Sequence, residues 1–306
     1  MPKTLFECLV CGSAASRLLH PSTYGGGVDG AHRYFLARRQ ATAHGEIRRC
    51  EGCGFTFTNP QFEDHEYDTI YSRLHENAAA AADAPAGPGD AANEARFKRL
   101  HGLIARREDF NQSFLDFGCG DGSFLRVAGS ASGRGFEIGA PGRRSGPAGS
   151  TIDSGQWPQV AGSTAVPWGS QAFVTTFDVF EHLPNLARDV ELIRRVLTPG
   201  GRLYVTVPDI ASPMARFSGG RWNMLLLEHL WYFSPATLDR FLARFGFSAE
   251  AHGRVPYDAS LSHAAKRLAE SLGARSPRLP AALSAWVLPV PAGVMFAAYR
   301  LQPGGH

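Results

Sequence analysis

A chain of 306 residues can bury one large core and sets the domain count at one or two. With 44% apolar and 19% charged residues it is neither disordered nor fibrous, and a formal net charge of +3 is too small to argue for a nucleic-acid partner. The first residues, MPKTLFECLVC, lack a charged segment followed by an apolar run, so no secretory leader is expected, and a cytoplasmic location with reduced cysteines follows as the default.

Residues 1–70 hold four of the five cysteines, as Cys8-x-x-Cys11 and Cys50-x-x-Cys53, each pair followed by glycine. A two-residue gap lets both thiolates of a pair face one ion, and the glycine permits the tight turn that aims backbone amides at sulfur. Four such thiolates predict a closed, structural zinc site with no chemistry of its own. The stretch between the pairs is long for a zinc ribbon, which makes His20, His32 and His44 alternative ligands; disulfides or a redox pair are the competing readings. Phe62, Tyr67 and Tyr71 follow and are expected to pack the module against the rest of the chain. A module bordering a substrate cleft would also recognise the substrate, so deleting residues 1–60 should weaken substrate binding more than cofactor binding.

Residues 78–93, AAAAADAPAGPGDAAN, are low in complexity and read as a linker or lid. A helix is expected over Glu94 to Arg107, with Phe97, Leu100 and Ile104 on its inner face and Lys98, Arg99, Arg106 and Arg107 solvated. LDFGCGDGSF, Leu115 to Phe124, is an apolar strand running into a glycine turn that opens a helix. Gly118, Gly120 and Gly122 remove side chains that would hold a ligand off the backbone. Asp116 precedes them, and Ser123 stands where a dinucleotide fingerprint would carry its third glycine. The next strand, Arg134 to Ile138, ends at Glu137, a carboxylate able to accept from both ribose hydroxyls of a nucleoside. Residues 139–150 are too rich in glycine and proline for a helix.

A buried parallel strand is expected over 173–177, entering DVFEHL. A helix from Leu186 to Leu197 stops at TPGG, and a strand follows from Arg202 to Val207. Residues 210–230 are irregular and aromatic, placed to wall an acceptor pocket. Ser234 caps a helix opened by Pro235 and ended by Gly246. Strands are expected at 248–255 and 294–301, with a surface helix, SLSHAAKRLAESLG, between them. The apolar tract Leu279 to Tyr299 is broken by Pro280, Pro289 and Pro291, so it is no membrane span.

These strings together carry a resemblance. D-F-G-C-G-D-G resembles motif I of the class I S-adenosylmethionine-dependent methyltransferases, DVFEHL is similar to their D-V-L-E-H-L motif, and EHLWYFSPATLDRFLARFGF resembles the signature of the E-H-L subgroup. RRCEGCGFTFTNPQF resembles the zinc-binding region found at the amino terminus of some of these enzymes. The resemblance implies an α/β fold: a Rossmann-like, seven-stranded, mostly parallel sheet with helices on both faces, plus a small N-terminal zinc-binding module. It divides the chain into a module (1–70), a linker or lid (71–93) and a methyltransferase domain (94–306) with an acceptor-site insertion at 210–232. It implies S-adenosylmethionine held by Asp116, Gly118, Gly120, Gly122, Glu137, Phe177 and Asp178, and zinc held by Cys8, Cys11, Cys50 and Cys53. The acceptor is expected to be a small molecule or sugar-linked, with neither nucleic acid nor membrane as partner. If its nucleophile carries a proton, His182 and His229 are the bases. A variant resembling a quinone-biosynthesis metal site would use Asp178, Glu181 and His182. Trp157 stacks on adenine or serves packing, and Gln156 stands where the family often places an acid. Two features depart from the family: the missing helix at 139–150, and Ala172 where an aspartate is usual. An NAD-dependent oxidoreductase and a non-catalytic scaffold with a decayed pocket remain the alternatives, and oligomeric state is not readable.

Overall fold

A computed structural model describes residues 3–35, 43–67, 69–70, 88–138, 150–271, 275, 280, 283, 286–290 and 293–303. Strands β1 (Ser16–His20), β2 (Ile47–Cys50) and β3 (Thr56–Thr58) belong to the cysteine-bearing region. Next come a helix Pro88–Ile104, β4 (Phe114–Phe117), a helix Ser123–Ala128, β5 (Gly133–Glu137), β6 (Thr151–Ser154) and β7 (Gln171–Phe177). Helix Leu186–Val196, β8 (Leu197–Pro208), β9 (Trp231–Tyr232), helix Pro235–Ala243 and β10 (Phe247–Arg254) follow. The chain closes with β11 (Tyr257–Ser260), helix Leu261–Ser271, β12 (Val287–Val290) and β13 (Val294–Leu301).

Seven of these strands form one sheet in the order β10-β13-β8-β7-β4-β5-β6. Every pairing from β6 to β8 is parallel, while β13 runs antiparallel to both β8 and β10. Side chains alternate across the central strands with the period of two that a pleat imposes. On β4, Leu115 and Phe117 join the core beneath the helices Leu186–Val196 and Pro235–Ala243, whereas Phe114 joins Leu100, Ile104, Phe124 and Leu125 on the opposite face. Helices therefore cover both faces, as the motif series implies. Among the described residues, no helix is long and apolar enough to cross a membrane.

Some boundaries differ from expectation. The helix before β4 begins at Pro88, inside the stretch read as linker. Among its described side chains the buried ones are Arg96, Leu100 and Ile104, a line at four-residue spacing that includes a cation. TPGG, where the helix stops, lies inside β8: Leu197 already pairs with Gln171, and a register shift before Phe173, with Gly200 at φ +77°, takes up the extra residues. A two-stranded β11-β12 ladder, which no periodicity signalled, fills part of the segment between β10 and β13. The capping box at Ser234 and Thr237 forms as the sequence requires. Residues 71–87, with Tyr71, and 139–149 lie outside the described residues.

The cysteine-bearing sheet has the order β1-β2-β3-β9, so its fourth strand comes from residues 231–232. Thr56 pairs with Tyr232 and Phe57 with Trp231. Phe55 lies 6.1 Å from Trp231 and 5.0 Å from Phe233, and one apolar cluster runs unbroken from Cys8 and Cys50 to β4 and β8.

Candidate functional site

Past Phe117 the chain turns through Gly118, Gly120 and Gly122, all in the left-handed region at φ +76°, +55° and +75°. They serve different ends. A Cβ on Gly118 would sit 2.4 Å from Cγ2 of Val179, so that glycine is demanded by packing against the exit of β7. Among the described residues, a Cβ on Gly120 would meet no heavy atom within 4 Å, so none of them covers this side of the backbone. Gly122 is the N-cap of helix Ser123–Ala128. The amide of Gly120 donates to Oε2 of Glu137 at 2.7 Å, and the amide of Ile138 to Oε1 at 3.1 Å. The Glu137 carboxylate at the end of β5 therefore faces the glycine turn and is only half-buried.

Asp116 lies beneath the turn, 3% exposed, accepting from the Thr175 hydroxyl at 2.7 Å. Burial raises its pKa to about 7, which the Thr175 bond opposes and the Glu137 charge adds to. Phe177 packs edge-on against Phe124 at 4.9 Å and near Phe97 at 6.1 Å. Trp157 is 2% exposed, packs against Phe117 and Phe136, and donates its Nε1–H to the Asp189 carbonyl. It is a core residue rather than an adenine platform, and Gln156 beside it is exposed.

Asp178 follows β7 with φ +57°, in the left-handed region although it is not glycine. Its carboxylate is fully engaged. Oδ1 accepts from Arg96 and from the Thr206 hydroxyl, both at 2.9 Å. Oδ2 accepts from the Tyr257 hydroxyl at 2.5 Å and lies 2.8 Å from Arg96. The Arg96 guanidinium in turn sits 4.5 Å over the Tyr257 ring. The metal set Asp178, Glu181 and His182 is not assembled, because both oxygens of its first member are taken. Sequence reasoning missed Arg96 and Tyr257. The first was legible in the 96, 100, 104 spacing; the second follows only from where the β11-β12 ladder lands.

His182 closes a short turn, Phe180–His182, and its Nδ1 donates to the Glu228 carbonyl at 3.1 Å. Nδ1 of His229 donates to the Met224 carbonyl at 2.9 Å. A carbonyl only accepts, so each ring carries a proton on Nδ1, and the neutral form of either has its lone pair on Nε2. The rings meet edge to face at 4.7 Å, bringing together the two histidines chosen from sequence. Beside them Glu181 is 1% exposed, and burial together with the Asp178 charge holds its carboxyl well above the usual range.

The four cysteines also converge. Cys8 and Cys53 sulfurs are 3.6 Å apart, as are those of Cys11 and Cys50, and all four lie within 4.8 Å of one another with no disulfide. Zinc–sulfur bonds of about 2.3 Å place tetrahedral sulfurs roughly 3.8 Å apart, so this donor set fits a zinc ion. Gly12 and Gly54 take φ +74° and +76° as their amides bond back to Cys8 and Cys50, building the two knuckles. Burial pushes the Cys8 thiol up. Burial acts on Cys50 too, but the Cys53 amide and the Cys11 and Cys8 thiols bring it down to about 7. His20, His32 and His44 stand outside the four-sulfur group.

A family model described as a methyltransferase domain matches residues 64–252. Among solved structures, a complex between the Haloferax volcanii Trm112 methyltransferase activator and a methyltransferase is 15% identical, covering 74% of this chain and 97% of that one at a TM-score of 0.51. Magnesium protoporphyrin IX methyltransferase from Synechocystis PCC 6803 with bound SAH is 10% identical, covering 78% and 99% at 0.48. An S-adenosylmethionine-dependent methyltransferase from Mesorhizobium loti is 18% identical, covering 66% and 97% at 0.44. No curated protein matches the chain. The sheet order and the open glycine turn opposite Glu137 define a class I S-adenosylmethionine-dependent methyltransferase. The chain belongs to the methyltransferase domain family, whose model it matches over more than half its length.

Proposed function

We propose that the protein transfers a methyl group to a small-molecule or sugar-linked acceptor in the cytoplasm, with a structural zinc ion held by Cys8, Cys11, Cys50 and Cys53. The observation that carries this is the pairing of an unobstructed Gly120 with the Glu137 carboxylate, past the ends of the adjacent strands β4 and β5. Bound S-adenosylmethionine supplies a methyl carbon already activated by a sulfonium charge. Glu137 would accept from the ribose hydroxyls with the lone pairs its two backbone amides leave over, and the turn at 118–122 would let the cofactor approach main chain. Phe177 walls the site and Asp116 contributes its field from below. Asp178, clamped by Arg96, Thr206 and Tyr257, sets the path of the chain into His182. A base is needed where the acceptor nucleophile carries a proton, and Nε2 of His182 or His229 takes it.

A cavity of about 240 Å³ between the cysteine module and residues Leu227 and Leu230 supports a small acceptor. Among the described residues, Oε1 of Gln61 and the Tyr67 hydroxyl, both buried in its lining, have no hydrogen-bond partner, offering a ligand one acceptor and one donor. The segment 227–230 also carries His229, whose carbonyl accepts from Thr58 at 2.9 Å. Calorimetric titration with S-adenosylmethionine and with NAD tests the cofactor, and product mass from labelled cofactor tests transfer. Binding of S-adenosylmethionine alone is expected, weakened at least about tenfold by Glu137→Ala. Binding of NAD alone would make the protein an oxidoreductase, and binding of neither a scaffold.

A further inference from the structure

Glu181, His182 and His229 each bring one ligand atom to within 4.8 Å of the other two, and the reaction proposed above leaves Glu181 without a role. Oε2 of Glu181 is buried and among the described residues has no hydrogen-bond partner, an orphaned acceptor of the kind that folded proteins seldom leave unsatisfied. Both imidazoles are oriented as metal-ligating histidines are. Each donates Nδ1–H to a main-chain carbonyl, Glu228 for His182 and Met224 for His229, which fixes the ring and directs the Nε2 lone pair away from that bond. Two imidazoles and one carboxylate make a borderline donor set suited to a divalent first-row transition metal, with coordination positions left for other oxygens. His182 is only partly buried, so the cluster is reachable from outside.

We propose that Glu181, His182 and His229 bind one divalent transition-metal ion that holds an oxygen of the acceptor. The ligand set is distinct from the four thiolates in chemistry and excludes Asp178, whose oxygens belong to Arg96, Thr206 and Tyr257. It rests on the methyltransferase reading for its role though not for its ligands, and it narrows the acceptor to a molecule offering a hydroxyl or carbonyl oxygen. With the ion in place the two rings would orient the acceptor through the metal instead of serving as bases, and a hydroxyl bound to the ion, its pKa lowered by the metal charge, would release its proton to solvent water before the methyl group is transferred.

Cobalt(II) titrated into full-length protein already loaded with zinc reads the site directly. One further equivalent should bind and give visible bands of a nitrogen and oxygen environment, without thiolate-to-cobalt charge transfer. Glu181→Gln and His229→Asn should each weaken this binding at least about tenfold while zinc content and S-adenosylmethionine affinity stay at wild-type values, which shows the variants folded. No uptake by the zinc-loaded wild type, or equal uptake by both variants, overturns the proposal. The S-adenosylmethionine titration is independent: its failure with cobalt bound removes the enzyme reading and leaves the metal site.

Discussion

Two glycines a residue apart illustrate how differently one substitution acts within a single turn. Gly118→Ala drives a methyl group into Val179 at a left-handed position, and should cost about 2–4 kcal/mol from overpacking and strain together. Gly120→Ala faces open space, so it should cost only the ~1–2 kcal/mol of left-handed strain yet weaken S-adenosylmethionine at least tenfold. Denaturant midpoints and calorimetry on both variants check this pair, and unchanged affinity in Gly120→Ala would show that the cofactor lies elsewhere. Asp116 supplies a pH dependence. An exposed aspartate titrates near 4, whereas burial raises Asp116 to about 7 in the fold. Between those values the folded chain keeps a proton that the unfolded chain has released, so stability falls as pH rises across the window, by up to about 1.4 kcal/mol for every step of one in pH. Asp116→Asn should flatten the fall in melting temperature from about pH 5 to about pH 8, an amide still being able to accept from Thr175.

At the scale of elements, the Arg96, Asp178 and Tyr257 cluster joins the helix Pro88–Ile104, the exit of β7 and the β11-β12 ladder. Arg96→Ala leaves the Asp178 carboxylate without its cation. Breaking a buried pair costs about 3–5 kcal/mol, and with Asp178 25% exposed the lower figure, about 3 kcal/mol, is expected. Tyr257→Phe removes a single hydrogen bond and should cost about 1 kcal/mol. Chemical denaturation of the two single variants and the double variant should reveal non-additive coupling, because both partners act on the same carboxylate. Strictly additive losses would mean that the ladder and the helix are held by other contacts.

For the whole molecule, the cysteine module is not an appendage that can be lifted off. β9 completes its sheet, and Phe55 fills space against Trp231 and Phe233. Removing the proposed zinc ion with a strong chelator should therefore lower the melting temperature of the entire chain in one transition; two transitions, the later one unmoved, would show a self-sufficient catalytic domain. For the same reason, deleting residues 1–60 should abolish cofactor and acceptor binding together, in contrast to the selective loss expected from sequence. Gln61→Ala is the narrower probe of acceptor recognition, since it removes the orphaned acceptor together with only one bond to β3, from Nε2 to the Thr58 carbonyl at 3.2 Å.

Local chemistry was enough to read much of this protein. Glycines with positive φ, apolar runs bounded by turns, paired cysteines with their glycines and the Ser234 cap are short-range features, and each formed where residue type and spacing require it. The convergence of His182 with His229 was partly legible, since each stands directly after a glutamate, His182 past the strand expected at 173–177 and His229 at the end of the segment expected to wall the acceptor pocket. What remained was decided by partners far apart in the chain. Arg96 gained its place in the interior only where Asp178 met it, Trp157 became core by packing on Phe117 and Phe136, and TPGG joined β8 because Gln171 lay alongside. The cysteine module gained a fourth strand from residues that sequence placed in an acceptor loop. Burial, pairing and charge neutralisation depend on which surfaces meet, and a linear pattern does not carry that information until the sheet has closed.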